Sequence, residues 1–298
     1  MLTGKKNSKL LRNKKEWSKR LFIIAFTIFP FLFLITFTYY PLVNMLGYSF
    51  TDWNGSSKEK TFVGLANYIR VFTDSQYFGV FKVSFYYIVG FALQMIIALF
   101  LASILNFKLH GKKLFKGILF FPYLINGVAV AMMFNFFFTP EGTLDTLLKF
   151  FGLDFLIQHW LGNPKLINFS LVYAQVWRYI GFTVVIFLGA MQAIDRQVYD
   201  AADVDGANGW QVFRYIVLPS IKSILELQII LSVKNALSVF EMPYIMTDGA
   251  NGSMTFVIQT VKTAFNYSKV GLASAMAIIL FMIIIIITFI EKVLLRKE

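Results

Sequence analysis

The sequence predicts an all-α membrane protein with six transmembrane helices and both termini on the cytoplasmic side. Three observations carry that prediction. Hydrophobic residues make up 57% of the chain, charged residues only 15%, and mean hydropathy is +0.65, far too apolar for a soluble domain of 298 residues. Apolar runs long enough to cross a bilayer recur along the chain. Lysine and arginine collect on alternate connections, with 17 of the 28 on segments assigned to the cytoplasm and fewer than half as many on segments assigned outside. A net charge of +12 would otherwise suggest nucleic acid, but here it is the excess expected on cytoplasmic flanks, and no nucleic-acid partner is predicted.

Residues 1–20 form a basic cytoplasmic tail, with Lys5, Lys6, Lys9, Arg12, Lys14, Lys15, Lys19 and Arg20 against a single Glu16. The first span covers 21–45; it is too long for the apolar core of a signal peptide, and Pro30 and Pro41 are placed to bend it. Residues 51–79 form an external loop, with a turn at Asp52 to Gly55 and Trp53 as an interface anchor. A second span over 80–105 leads to a short connection whose Lys108, Lys112, Lys113 and Lys116 mark it as cytoplasmic. The third span, 115–138, contains Pro122 and Asn126 and is expected to be irregular in its cytoplasmic half. Residues 139–168 return outside, with Leu144 to Trp160 read as an amphipathic helix on the membrane surface. The fourth and fifth spans, 169–193 and 218–240, are unusually polar, and residues 241–268 are external. The sixth span, 270–290, is closed by Glu291, Lys292, Arg296 and Lys297. Cysteine is absent, and His110 and His159 lack the paired spacing of a zinc site, so no metal centre is expected.

Between the fourth and fifth spans lies a hydrophilic stretch, Tyr199 to Pro219. Asp200 suits a helix start, Ala201 and Ala202 favour propagation, and Gly206 and Gly209 interrupt. Trp210, Phe213 and Ile216 then share one helical face before Pro219. Composition alone would allow a plain connecting loop.

The order Asp200-Ala201-Ala202, Gly206, then Ile216, Leu218 and Pro219 resembles the EAA signature of permease subunits of binding-protein-dependent ABC importers, with Asp in place of the usual Glu. The rest of the chain after the basic tail is similar to the carbohydrate-uptake, maltose-type branch. That similarity rests on Tyr40-Pro41, Ser49-Phe50-Thr51-Asp52-Trp53, Phe62-Val63-Gly64-Leu65-Ala66-Asn67-Tyr68 and Phe120-Phe121-Pro122. Trp177, Gly181-Phe182, Ala264-Phe265 and Gly271-Leu272-Ala273-Ser274-Ala275 continue it. The resemblance implies a type I importer fold in the plasma membrane of a prokaryote, and a coupling loop over 195–217 that docks on a cytoplasmic ATPase dimer. It also implies a second permease subunit in a pseudo-symmetric pair and an extracytoplasmic solute-binding protein that delivers a sugar or oligosaccharide. Coupling would fall to Asp200, Ala201, Ala202, Gly206, Trp210 and Phe213, with Asp200 pairing a partner cation or capping its own helix, and the Trp210, Phe213 and Ile216 face packed on the permease itself. No Gly-x-x-x-x-Gly-Lys-Ser/Thr loop is present, so ATP and magnesium are expected on the partner and no cofactor or catalytic residue on this chain.

For the path, Arg178 and Lys234 are the ionisable groups of interest, because a charge inside a span is costly and faces a cavity or a partner. Lys234, Ser238 and Glu241 are spaced to share one face of the fifth span, with Asn235 beside them. Gln175 and Trp177 accompany Arg178 on the fourth span, Trp177 offering a flat surface for a sugar ring. The competing reading makes Arg178 and Glu241 a structural ion pair and places Trp177 in an aromatic belt. Lys222 and Glu226 are spaced as a local pair. Arg178 and Lys234 favour an anionic or highly polar cargo. Two other classes remain: a stand-alone secondary transporter, which predicts inverted repeats and midplane acids, and a membrane-embedded enzyme, which needs a convergent catalytic set. The sequence displays neither signature.

Overall fold

The computed structural model describes residues 3–106 and 111–295, without the side chains of residues 3–15 and 18. Lys108, His110, Arg296, Lys297 and the basic side chains from Lys5 to Lys15 lie outside the described residues. The principal helices are α1 (Thr3–Leu34), α2 (Tyr40–Ser49), α3 (Phe81–Asn106), α4 (Lys112–Leu124), α5 (Gly127–Phe138) and α6 (Ile167–Gln192). They continue as α7 (Arg196–Val204), α8 (Gly209–Val212), α9 (Lys222–Leu237), α10 (Glu241–Thr247), α11 (Phe256–Phe265) and α12 (Val270–Leu295). Among the described residues, five stretches are long and apolar enough to cross a membrane: Lys19–Ser49, Ser75–Asn106, Ile167–Gln192, Lys222–Thr247 and Val270–Leu295. The pair α4 and α5 makes a sixth if counted as one span.

Three expectations change, and the irregularity expected in the third span takes a definite form. The basic tail is not separate from the first span, because α1 runs unbroken from Thr3. The third span is two helices bent by 95°. Ile125 and Asn126 both leave the helical region, and the Asn126 side chain accepts from the Val128 N–H at 2.9 Å, so Ile125 ends one helix and Asn126 caps the next. The fifth span is also interrupted, at Ser238 to Phe240, before α10 starts at Glu241. The surface helix expected over Leu144 to Trp160 is only Thr143–Phe150, followed by a single 3-10 turn. The buried Asp145 closes that segment, accepting from the Trp160 indole at 2.8 Å and the Glu141 N–H at 2.9 Å.

Proline explains two further irregularities. Pro41 and Pro219 have no N–H to return to the preceding turn. Directly before each, the backbone widens into a π-turn, Ile35–Tyr39 and Phe213–Val217, in which Tyr40 N–H reaches Ile35 O and Leu218 N–H reaches Phe213 O.

At the centre α6 packs against α3 and α4, α9 against α3 and α12, α12 against α2 and α11, and α10 against α5. One buried cluster joins Tyr87, Phe91, Phe134, Leu171 and Met242. A second, at the end carrying residues 195–221, joins Ala98, Phe187, Met191, Val217 and Ile221. Outside these clusters Phe22, Ile96, Phe100 and Ile286 are exposed, which suits a surface facing lipid. Several residues quoted above for the resemblance have structural work here. Asn67 donates through Nδ2 to Ser49 O and Thr51 O, both at 2.9 Å, and Tyr68 shares a 2.6 Å hydrogen bond with Ser49.

Gly181 brings α6 against the backbone of α4, where a Cβ would fall on the Leu119 carbonyl. Gly181→Ala is expected to destabilise the protein by ~1–3 kcal/mol through overpacking, seen as a lower melting midpoint of the purified membrane complex. Gly189, on the same helix, opens onto free space, and Gly189→Ala should leave the midpoint unchanged or higher. Equal midpoints for the two variants would refute the close approach.

Candidate functional site

A cavity of about 450 Å³ lies between α3, α4, α6 and α9 and ends at the start of α10. The same stretches that build the central helices put polar groups on its wall. Gln94 comes from α3, Gln175 and Thr183 from α6, and Gln228, Ser232 and Asn235 from α9. Gln94 is buried; its Nε2 donates to Thr183 Oγ1 at 2.9 Å, and its Oε1 is left without a donor. Aromatic faces complete the wall. Tyr123 and Phe182 stack with centroids 4.5 Å apart and planes inclined 22°, and Tyr179 meets Tyr123 edge-on at 5.7 Å. Such a surface offers flat apolar faces beside groups that both donate and accept hydrogen bonds.

One ion pair borders the cavity. Arg178 Nη1 donates to Glu241 Oε2 at 2.7 Å, and Nη2 to the Ile125 carbonyl at 3.4 Å. The arginine side chain is 12% exposed and the carboxylate 44%, so the carboxylate is the member turned to the open side. At Gly127 a Cβ would fall on that carboxylate, so the start of α5 must be glycine for Glu241 to sit where it does. Arg178 thus holds both interrupted helices, α4–α5 through the carbonyl at the break and α9–α10 through Glu241. The second break is satisfied separately, by Thr255 Oγ1 donating to Val239 O at 2.8 Å.

Of the path residues expected from sequence, Gln175, Asn235, Ser238 and Glu241 line the cavity, whereas Trp177, Arg178 and Lys234 do not. Trp177 packs edge-on to Phe134, centroids 5.2 Å apart, against the buried cluster rather than offering a free face. Arg178 is turned to its ion pair. Lys234 is exposed and lies off the wall. The expected single face of Lys234, Ser238 and Glu241 fails because α9 stops at Leu237: Ser238 N and Oγ both fold back to Lys234 O. No ion pair joins Lys222 to Glu226 among the described residues; the two recorded are Arg178–Glu241 and Lys262–Asp248. Sequence reasoning missed Gln94, Gln228, Tyr123, Tyr179, Phe182 and Thr183. Gln94 and Gln228 carried a usable signal, a lone amide inside a strongly apolar run.

The hydrophilic stretch forms a helix, a tight turn and a second helix. Asp195, not Asp200, caps α7, its side chain accepting from the Gln197 N–H. At the other end Gly206 stands at φ +71°, with Gly206 N–H donating to Asp203 O and Ala207 N–H to Ala202 O, the paired bonds of a left-handed helix stop. Asn208 and Gln211 then cap α8 reciprocally. Ala202, Val212 and Val217 are buried against Phe187 and Met191 of α6, with Phe213 and Ile216 half-buried beside them. Trp210 departs from its expected inward face: it is 70% exposed and touches Phe213 at a centroid distance of 5.7 Å. Ala202 likewise faces inward, whereas Asp200 and Ala201 are exposed. Val204 and Tyr215, which sequence reasoning passed over, are among the most exposed large side chains. Tyr199 ties the segment to α3, its hydroxyl accepting from Asn106 Nδ2 at 3.3 Å and donating to Met191 O at 3.4 Å. Burial pushes the Tyr199 phenol upward, the Asn106 hydrogen bond opposing in part, so the hydroxyl stays protonated and can play both roles.

Residues 94–297, more than half of the chain, match the family described as binding-protein-dependent transport system inner membrane component. The chain is 31% identical over 249 residues to the probable ABC transporter permease protein YurN of Bacillus subtilis, covering 82% of this chain and 85% of that one. It is 32% identical over 240 residues to the trehalose/maltose transport system permease protein MalF of Thermococcus litoralis, covering 78% and 79%. A crystal structure of a bacterial ABC transporter involved in the import of the acidic polysaccharide alginate shares the fold, with a TM-score of 0.81 at 20% identity over 96% of this chain and 99% of that chain. The match over 94–297, the two relatives and the broken-helix bundle agree, and this chain belongs to the family of binding-protein-dependent transport system inner membrane components.

Proposed function

We propose that the chain is one permease subunit of an ATP-driven importer and forms half of the translocation path for a sugar or oligosaccharide. In this reading both termini and the loop 195–217 face the cytoplasm, a solute-binding protein delivers cargo on the opposite side, and a second permease supplies the other half of the path. ATP and magnesium act on a partner ATPase dimer. The observation that carries the proposal is that the cavity wall draws amides and hydroxyls from the same two helices that the exposed loop joins. Helix α6 carries Gln175 and Thr183 and runs directly into the loop; α9 carries Gln228 and Asn235 and leaves it. The loop is seated on α6 through Ala202, Val212 and Val217, so a rigid push on it moves two cavity walls together. Its exposed Val204, Trp210 and Tyr215 form the surface an ATPase groove would cover. The sugar assignment draws support from relatives described as trehalose/maltose, multiple sugar-binding and arabinooligosaccharide permeases. Copurification of this chain with a second permease and an ATPase, followed by ATP-dependent oligosaccharide uptake in reconstituted vesicles, tests the whole reading; uptake by this chain alone on an ion gradient would overturn it.

Three substitutions test the parts. Gly206→Pro cannot adopt φ +71° and loses the bond to Asp203 O, so uptake should fall by about tenfold or more, while Gly206→Asn, which tolerates the left-handed conformation, keeps most of it. Trp210→Ala should leave the melting midpoint of the permease pair intact and weaken ATPase retention by ~2 kcal/mol or more; undiminished retention on size-exclusion chromatography would remove Trp210 from the docking surface. Arg178→Met strands the part-exposed Glu241 carboxylate and the Ile125 carbonyl and is expected to destabilise by ~1–3 kcal/mol, with Arg178→Met/Glu241→Gln recovering a large part in a double-mutant cycle by thermal melting.

A further inference from the structure

Charge on the cavity wall separates two classes of cargo. Sequence reasoning leans toward an anionic cargo because Arg178 and Lys234 are the conspicuous cations of the fourth and fifth spans. The tertiary structure removes both from the wall: Arg178 turns Nη1 to Glu241 and Nη2 to the Ile125 carbonyl and keeps its Nε buried, and Lys234 lies outside the lining. Among the described residues that line the cavity, Glu241 is the one charged side chain, and its partly exposed carboxylate is the member of the ion pair that a cargo meets first.

We infer that this chain's half of the path selects an uncharged oligosaccharide over a uronate or other anionic one; the inference rests on the sugar-path reading above. The rest of the polar wall is made of amides and hydroxyls. Gln175, Gln228 and Asn235 each present a donor and an acceptor, which matches a sugar hydroxyl in either sense. Buried Gln94 adds an acceptor that nothing in the protein satisfies. A carboxylate on the cargo needs a cation free to meet it, and among the described residues the one cation beside the wall, Arg178, is already paired with Glu241. The stacked Tyr123 and Phe182 faces suit the apolar C–H face of a neutral ring and supply no compensation for an anion. The solved structure of similar fold belongs to an importer of an acidic polysaccharide, so the fold alone does not set cargo charge; the lining does.

The test is equilibrium binding to the complete purified importer, without its binding protein. The probes are labelled neutral pentasaccharides of glucose, galactose, mannose, xylose and arabinose, together with pentasaccharides of galacturonate and alginate. The tightest neutral probe is expected to bind at least about tenfold more tightly than either uronate. Asn235→Lys, which places a cation on the wall, should reduce that ratio by about fivefold or more, and Asn235→Gln should preserve it. Uronates binding as tightly as every neutral probe would overturn the charge inference and leave the sugar path standing. A neutral preference that Asn235→Lys does not move would overturn its assignment to this chain. Binding of neither class by a complex with intact ATPase activity would overturn the sugar path itself.

Discussion

The hydrogen-bonded ion pair between Arg178 and Glu241 is the contact on which the middle of this protein depends. Two helices that would otherwise cross the bilayer unbroken are interrupted, at Ile125–Asn126 and at Ser238–Phe240, and both interruptions meet the same guanidinium. An exposed backbone break in lipid is prohibitive because nothing there can hydrogen-bond the freed carbonyls; a break is tolerable where protein surrounds it or where it lines a cavity. Arg178 satisfies the Ile125 carbonyl, Thr255 satisfies the Val239 carbonyl, and Glu241 starts α10 on the cavity rim. Glycine at 127 is part of the same construction, since any side chain there would displace the carboxylate. The charges are kept inside the bundle because each is the other's compensation, and the structure gains a polar rim from a pair whose net charge is zero.

Prolines and glycines set the geometry around that centre by what they withhold. Pro41 and Pro219 withhold a donor, and the chain answers each with a π-turn that re-aims the following helix. Gly181 withholds a side chain, which lets α6 lie directly on the backbone of α4 and places Tyr123 over Phe182. Gly206 supplies the left-handed residue that folds the loop back on itself, leaving Val204 and Trp210 outside and Ala202 and Val212 inside. The loop and the cavity are therefore two ends of the same rigid parts. Packed side chains such as Phe187 and Met191 join the loop to α6, one of the helices that line the cavity.

Much of the fold was legible because membrane burial imposes a strong and simple pattern. Apolar run length marked the spans, and basic connections pointed to one side. Legibility stopped short in the third span, where irregularity was expected, and failed in the fifth, where continuity was assumed. Asn126 is a cap signal inside a span, yet only the packing of α10 against α5 shows why the chain turns by 95° there. The same assumption misled the site: counting Lys234, Ser238 and Glu241 along one ideal helix put a lysine on the wall and hid the break that actually presents Glu241. Trp177 was read as a flat surface for a sugar ring from its residue type, whereas the stacked rings on the cavity wall are Tyr123 and Phe182, two residues from different helices whose meeting no local pattern announces. In the loop, the turn at Gly206 was readable from the glycine itself. The outward position of Trp210 was not, since helical spacing with Phe213 and Ile216 is equally compatible with either direction.

By itself the sequence determined that this is a helical membrane protein, where its spans fall approximately, and that a structured polar loop separates the fourth from the fifth. Those properties follow from hydropathy, charge placement and the backbone preferences of glycine and proline, all of which act within a few neighbouring residues. Only the tertiary structure decided which polar groups meet. It paired Arg178 with Glu241 across 63 positions of sequence, gathered amides from three helices into one wall, and set Lys234 aside. The physical reason is that a buried charge or amide is governed by the partner that satisfies it, and that partner is chosen by packing between helices rather than by anything adjacent along the chain.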